Sequence, residues 1–299
     1  MNLRYASPRY WPTWCGVAAL WCVVRLPLAV QWRLGVALGW LGLRCARRRR
    51  HIAAVNLRLC FPALDDGERA TLLAATFRST GIAVLETALA WLRPPARLAG
   101  QVTITGTEHI ADALRQGRGL LMLGGHFATL DIAGALLARV ADFAVTYRPS
   151  SNPLIEHIMR RARQRLYSGV IEHGDARGIA RRLRAGGAVW YAADQDFGRR
   201  HSTFAPFFGV PTATITAASR FARMNRSSAV FVSFFRDEAP WRWRIDIRPI
   251  TADFGGGDVE RDARLVNALI ETDVRRAPEQ YLWLHRRFKT RPEGEARPY

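Results

Sequence analysis

The sequence predicts an α/β fold: a mixed, mostly parallel sheet flanked by helices, with an N-terminal membrane-associated helical segment ahead of it. Three observations carry that reading. Beyond Gln101, short apolar runs alternate with amphipathic stretches of helical period. Asp65-Asp66-Gly67-Glu68 has the pattern of a capping box opening a long helix. The first fifty residues are rich in aliphatic and aromatic side chains and end in a cluster of arginines. With 299 residues, 49% hydrophobic and 23% charged, the chain can bury a sizeable core and is not a disordered polypeptide.

Taken in order, the stretch from Trp14 to Leu43 is apolar but interrupted by Arg25, Pro27, Gln31 and Arg33. A spanning helix needs about 20 apolar residues, and a central arginine costs roughly 2.5–3.5 kcal/mol on insertion. Tyr10, Trp11 and Trp14 precede the stretch and Trp40 lies near its end, as interfacial aromatics do. Arg44, Arg47, Arg48, Arg49 and Arg50 follow. Either the stretch spans, and these arginines keep the rest of the chain in the cytoplasm, or it lies in the interface and they grip anionic membrane lipid. No small-residue cleavage site follows a compact apolar core, so a cleaved signal peptide is not expected. Residues 1–50 are thus expected to form a membrane-anchoring segment and 51–299 a single domain.

In that domain the capped helix should run to about Leu92 and stop at Pro94-Pro95. Strands are expected at Val102–Thr105, Gly119–Leu123, Phe143–Thr146 and Ala188–Ala192. Helices are expected near Thr107–Arg115, Leu130–Arg139, Leu154–Leu166 and Ala176–Ala185. Ala229–Phe235 and Trp241–Arg248 read as a late strand pair, and Val259–Arg276 as a final amphipathic helix. There are no repeats and no low-complexity linker.

The net charge of +19 points to an anionic partner. Lys289 is the only lysine, so the remaining cations are arginines, whose planar fork suits phosphate and carboxylate. Nucleic acid is set aside as that partner, because no recognised binding motif appears and the arginines are spread along the chain. Cys15, Cys22, Cys45 and Cys60 have neither metal-ligand spacing nor accompanying histidines, so neither a metal site nor a disulfide framework is expected.

The segment that carries chemistry is Leu121-Met122-Leu123-Gly124-Gly125-His126-Phe127-Ala128-Thr129-Leu130-Asp131. A buried strand runs into two glycines, a histidine and, five residues later, an aspartate. On one helix the last two would point about 140° apart. With His126 in the turn and Asp131 in the first helical turns, the carboxylate can reach back to the imidazole and fix its tautomer. Gly124 and Gly125 permit a sharp turn and close approach of a ligand. The helix N-terminus offers unpaired amides to an oxyanion. No serine or cysteine nucleophile accompanies the pair, so its natural task is general-base activation of a substrate hydroxyl. His-x4-Asp alone recurs by chance, and a histidine at a strand end is often just hydrogen-bonded there.

Longer motifs add to this. The chain resembles the bacterial lipid A biosynthesis acyltransferases, most closely the lauroyl enzymes, within the wider lysophospholipid acyltransferase group. The resemblance begins at Pro8-Arg9-Tyr10-Trp11-Pro12-Thr13-Trp14 and Asn56-Leu57-Arg58-Leu59-Cys60-Phe61-Pro62. It continues through Gly125-His126 with Asp131, Tyr147-Arg148-Pro149 with Asn152-Pro153, and Asp194-Gln195-Asp196-Phe197-Gly198. It closes on the specific string from Pro278 to Pro292. It implies transfer of a fatty acyl group from acyl carrier protein to a hydroxyl of a Kdo-bearing lipid A precursor, without a cofactor or metal. The place implied is the cytoplasmic face of the bacterial inner membrane, and residues 51–299 would be the acyltransferase domain. His126 and Asp131 match the family's catalytic pair, although close lauroyl relatives carry glutamate where this chain has Asp131.

Arg148 follows a predicted strand and Asn152 precedes the next helix, so both are candidate substrate contacts, Arg148 for a phosphate or oxyanion. Asp194, Gln195 and Asp196 follow the strand Ala188–Ala192 and are read as orienting sugar hydroxyls or arginines. Gly125 is read as a point of close ligand approach. Residues 204–211 read as an apolar loop that either lines an acyl channel or belongs to the core. His285, Arg286 and Arg287 either touch substrate phosphates or form a solvated basic face, the second being the preferred reading.

Overall fold

A computed structural model describes residues 3–237, 239–251 and 253–299. The apolar leader forms two helices, α1 (Trp11–Val23) and α2 (Leu28–Cys45). Pro27 ends the first path, since the residue before a proline is driven out of helical conformation. Buried Gln31 closes the corner by donating from Nε2 to the carbonyls of Val24, at 3.2 Å, and Leu26, at 2.8 Å. At about 1.5 Å rise per residue, α1 and α2 are about 20 and 27 Å long, short of the roughly 30 Å of a bilayer's hydrocarbon core.

Next come α3 (Arg47–Cys60) and α4 (Asp66–Leu92). The expected reciprocal cap opens α4: Asp65 accepts the Glu68 amide and Glu68 accepts the Asp65 amide, both at 2.8 Å. Among the described residues α4 alone is long and apolar enough to cross a membrane, yet half of its most apolar window is buried in the protein, as in a core helix. α2 lies on α4 at glycine distance. A Cβ on Gly81 would meet Gly39 N at 2.2 Å and Gly35 O at 2.3 Å, so only hydrogen fits there. The N-terminal helix α2 is therefore packed closely along α4.

The remainder alternates: β1 (Val102–Thr105), α5 (Thr107–Arg115), β2 (Leu120–Gly124), α6 (Leu130–Leu137), β3 (Ala144–Tyr147), α7 (Pro153–Leu166), β4 (Gly169–Glu172), α8 (Ala176–Arg184) and β5 (Ala188–Ala192). A hairpin of β6 (Ser202–Phe207) and β7 (Val210–Ile215) follows, then α9 (Ala217–Asn225), β8 (Ser228–Arg236), β9 (Trp243–Pro249) and α10 (Val259–Arg276). Seven strands form one sheet in the order β1-β9-β8-β2-β5-β3-β4. Neighbours run parallel except β8 and β9, which are antiparallel, so the sheet is mixed and mostly parallel, as the alternation predicts. β2 and β5 are buried at every position, as central parallel strands require.

The short β4, half-exposed at the sheet edge, has no apolar run that would mark it in the sequence. Residues 204–211 are not a loop but most of the β6–β7 hairpin. Its two-residue turn puts Phe208 and Gly209 at φ 52° and 75°, the left-handed region that hairpin turns use. Phe207 is fully buried and Phe208 packs on Phe61, so the hairpin's tip belongs to the core.

Candidate active site

The site forms at the carboxyl ends of β2 and β5, where open α/β sheets bind their ligands. In the register of these strands Gly124 faces Ala192. Two residues further on, His126 meets Asp194. Asp194 Oδ1 lies 2.5 Å from His126 Nδ1, and its Oδ2 accepts the His126 backbone N–H at 2.7 Å. Two bonds to one carboxylate fix both the imidazole and the loop that carries it.

Gly124 and Gly125 have ordinary φ, so the turn needs no left-handed residue. Crowding requires Gly124 and favours Gly125. A Cβ on Gly124 would come within 2.7 Å of Val232 O in β8, and one on Gly125 within 3.3 Å of Ile270 and Phe127 side-chain carbons.

The closing string of the sequence binds the same loop. His126 O accepts Leu282 N–H at 3.0 Å, and Ala128 N–H donates to Gln280 O at 2.7 Å. Asn56 of α3 holds the string in turn, donating to the carbonyls of Trp283 and His285 at 2.7 and 2.8 Å.

Asp194 is 2% exposed and His126 25% exposed, so the carboxylate is sealed and the ring is partly open. Burial alone would push the Asp194 carboxyl up, but the charge and hydrogen bonds of His126 hold it well below the usual carboxylate range. Burial pulls the imidazole down, yet Asp194, with Asp131 beyond it, outweighs that and leaves His126 above its ordinary value. With the ionised carboxylate on Nδ1, the proton of the neutral ring sits there and Nε2 carries the free lone pair. The Gln195 amide stands 3.2 Å from Nε2, at the place where a substrate hydroxyl would approach.

Asp131 is placed differently from the expectation. It opens α6 in the predicted way, but its carboxylate is held by Arg163 Nη2 of α7 at 3.1 Å and Thr87 Oγ1 of α4 at 3.2 Å. The imidazole contact goes to Asp194 because β5 lies beside β2, whereas the first turn of α6 faces α4 and α7. Asp131 acts on His126 through its charge across space.

Two of the other expected substrate contacts, Asn152 and Asp196, are engaged in structural ties. Asn152 caps α7, its Oδ1 accepting the amides of Leu154 and Ile155 at 3.0 and 3.3 Å, while Nδ2 donates to Thr13 of α1 at 3.0 Å. Asp196 is 3% exposed and accepts the backbone and hydroxyl of Thr290 at 2.8 and 2.9 Å, which pins the closing string. Arg148 is exposed just beyond β3, with its charge directed at His173. The basic triplet is not a solvated face: Arg287 is 2% exposed and donates to Ala213 O at 2.8 Å. Burial holds the His285 pKa down at about 4, leaving a neutral ring whose Nε2 accepts the Asp196 amide at 3.4 Å.

Residues 2–290 match the profile of the bacterial lipid A biosynthesis acyltransferases. The chain belongs to that family. It is 40% identical to the lipid A biosynthesis lauroyltransferase of Escherichia coli K12 over 290 residues, covering 96% of this chain and 94% of the relative. It is 38% identical to the palmitoleoyltransferase of the same strain, covering 99% and 97%, and 29% identical to its myristoyltransferase, covering 99% and 92%. Family membership makes the chain an acyltransferase, and three acyl chains occur among these relatives' names.

Within this acyltransferase, sequence reasoning passed over Arg163. It lies among Arg160, Arg161 and Arg165 on one amphipathic helix, and nothing local separates it from them. Only the approach of α7 to α6 gives it Asp131 as a partner, with the rings of Tyr147 and Trp91 about its guanidinium.

Proposed function

We propose that this chain is an O-acyltransferase that moves a fatty acyl group, lauroyl being the first to try, from acyl carrier protein to a hydroxyl of a Kdo-bearing lipid A precursor. The observation that carries this reading is an imidazole whose Nδ1 is locked by a sealed carboxylate while the partly exposed ring turns Nε2 to the Gln195 amide. Nε2 takes the proton of the acceptor hydroxyl as its oxygen attacks the thioester carbonyl. The tetrahedral intermediate collapses, the carbon–sulfur bond breaks, and the imidazolium returns the proton to the departing thiolate. Asp194 balances the imidazolium charge without taking its proton. Arg163, held by Asp131, supplies positive charge beside the developing oxyanion.

Transfer is direct. The hydrogen-bonding side chains at the His126 ring are Asp194 and Gln195, neither of which is a serine or cysteine nucleophile. Cys60 is the buried thiol among the four cysteines, and burial pushes its pKa up, which keeps it protonated and unreactive.

A cavity of about 310 Å³ between α1, α4 and α7 suits the acyl chain. Leu20, Val84, Trp91, Ile155 and Ile158 line it, and so does Thr87, the partner of Asp131, so it begins beside the site. α1 and α2 expose Trp11, Trp21, Leu34, Leu38, Trp40 and Leu41, a surface suited to the headgroup–acyl boundary. We take the leader to lie in that boundary, at the cytoplasmic face of the inner membrane, beside anionic lipid.

Mass spectrometry of lipid A from cells lacking the protein, and from cells supplied with wild type or His126→Ala, tests the reading. One acyl chain should be missing, then restored by wild type only. An acyl gain on phospholipid instead of lipid A would replace the acceptor, and restoration by His126→Ala would end the general-base mechanism.

A further inference from the structure

A second cleft, of about 840 Å³, opens between α8 and α9. Arg177, Arg181 and Arg184 form one ridge of α8 along its rim, and Arg220 of α9 faces them. All four are exposed, and none has an ion-pair, hydrogen-bonding or ring partner for its guanidinium among the described residues. That is unlike their neighbour Arg182, which donates to Ser168 Oγ at 2.7 Å and pairs with Asp142. No carboxylate lines the cleft among the described residues. Four unpaired guanidiniums around one concavity repel each other unless an anion sits among them.

The floor is largely apolar. Phe221, Met224 and Tyr191 form it, with Met224 62% exposed. Phe197 stacks on His173 at 4.3 Å between ring centres, and both line the cleft. His173 is near enough to His126 for their charges to oppose each other, and Phe197 is three residues beyond Asp194. The cleft therefore combines an arginine rim with aromatic side chains, and its Phe197 end adjoins the segment that carries Asp194.

We infer that this cleft is the docking surface for an acidic, soluble acyl carrier, whose phosphorylated thioester arm lies along the Phe197–His173 floor towards His126. The inference rests on the acyl transfer proposed above and adds where its donor binds. Charge complementarity selects an acidic occupant. Position favours a soluble one: exposed Trp11, Trp21 and Trp40 lie on α1 and α2, neither of which lines this cleft. A donor arriving from water then need not cross the surface that meets the lipid acceptor.

The test uses the full-length protein, with Arg181→Glu/Arg184→Glu compared with wild type and with Arg181→Lys/Arg184→Lys. The probes are lauroyl-charged holo-carrier, acceptor lipid in mixed micelles, and carrier binding by fluorescence anisotropy without acceptor. The glutamate pair should raise KM for the charged carrier and the anisotropy Kd about tenfold or more. KM for the acceptor should move less than twofold, and the lysine pair should restore most of the carrier affinity. A rise in the acceptor KM alone would give the cleft to the lipid's anionic headgroup and overturn the inference, as would no change in either. Failure of wild type to use the carrier thioester would sink the proposed function separately, while the anisotropy still reads docking directly.

Discussion

Asp194→Asn should disable the base by changing which ring nitrogen carries the proton. In the wild type, one carboxylate oxygen accepts the His126 backbone N–H at 2.7 Å and the other faces Nδ1 at 2.5 Å. An asparagine has one acceptor and one donor group at those two places. If its oxygen keeps the backbone amide, its N–H points at Nδ1 and the ring proton moves to Nε2, the atom that must accept the hydroxyl proton. Turnover should fall about 10²–10⁴-fold, the range for a general base held in the wrong tautomer. The cost in stability should be smaller, about 1–3 kcal/mol, since both buried bonds survive in weaker, neutral form. Losing the carboxylate also leaves burial at His126 opposed only by the more distant Asp131, so the acid limb of kcat/KM should move to lower pH than in wild type. The assay is acyl transfer across pH, with nitrogen-15 NMR of the imidazole to read the tautomer. Turnover within threefold of wild type, or an unmoved acid limb, would refute the assignment of Asp194 as the group that orients His126.

Other perturbations separate the remaining roles. Asp131→Glu should keep the Arg163 contact and most activity, whereas Asp131→Asn and Arg163→Ala should each lower kcat roughly 10–100-fold with Nδ1 still protonated in the NMR spectrum. Val84→Trp should fill the groove beside Thr87 and shift preference towards shorter acyl donors, read by competition between chain lengths. Gly81→Val should lose at least about 1–3 kcal/mol in thermal unfolding, because its side chain would strike the backbone of α2. The His126–Asp194 pair should also set pH limits on stability. Asp194 has a lowered folded pKa, so its contribution is present above about pH 4 and fades as pH falls through the folded value. His126 has a raised one, so its contribution is full below about pH 6.5 and is lost as pH rises through the folded value. Urea unfolding of wild type and Asp194→Asn from acid to alkaline pH would show the difference between them shrink at both ends.

What the sequence determined by itself are the elements written over short windows. The Asp65–Glu68 cap started α4 at Asp66, and apolar runs placed β1 and β5 at their observed bounds. The turn between β2 and α6 put His126 in a loop and Asp131 in the first helical turn. Those features depend on neighbours a few residues away, so local propensity and periodicity are enough to reveal them. Partnerships were decided elsewhere. Asp194 reaches His126, 68 positions distant, only because β5 is inserted beside β2 ahead of β3 in the sheet. Asn152 and Asp196 looked like ligands because they are polar and end strands or open helices; the tertiary structure spends their hydrogen bonds on Thr13 and Thr290. Arg163 becomes the partner of Asp131, and Arg181 is left without one among the described residues, though the two arginines look alike in sequence. Strand order and helix docking bring distant charges together or keep them apart, and a buried charge must find its partner within that arrangement.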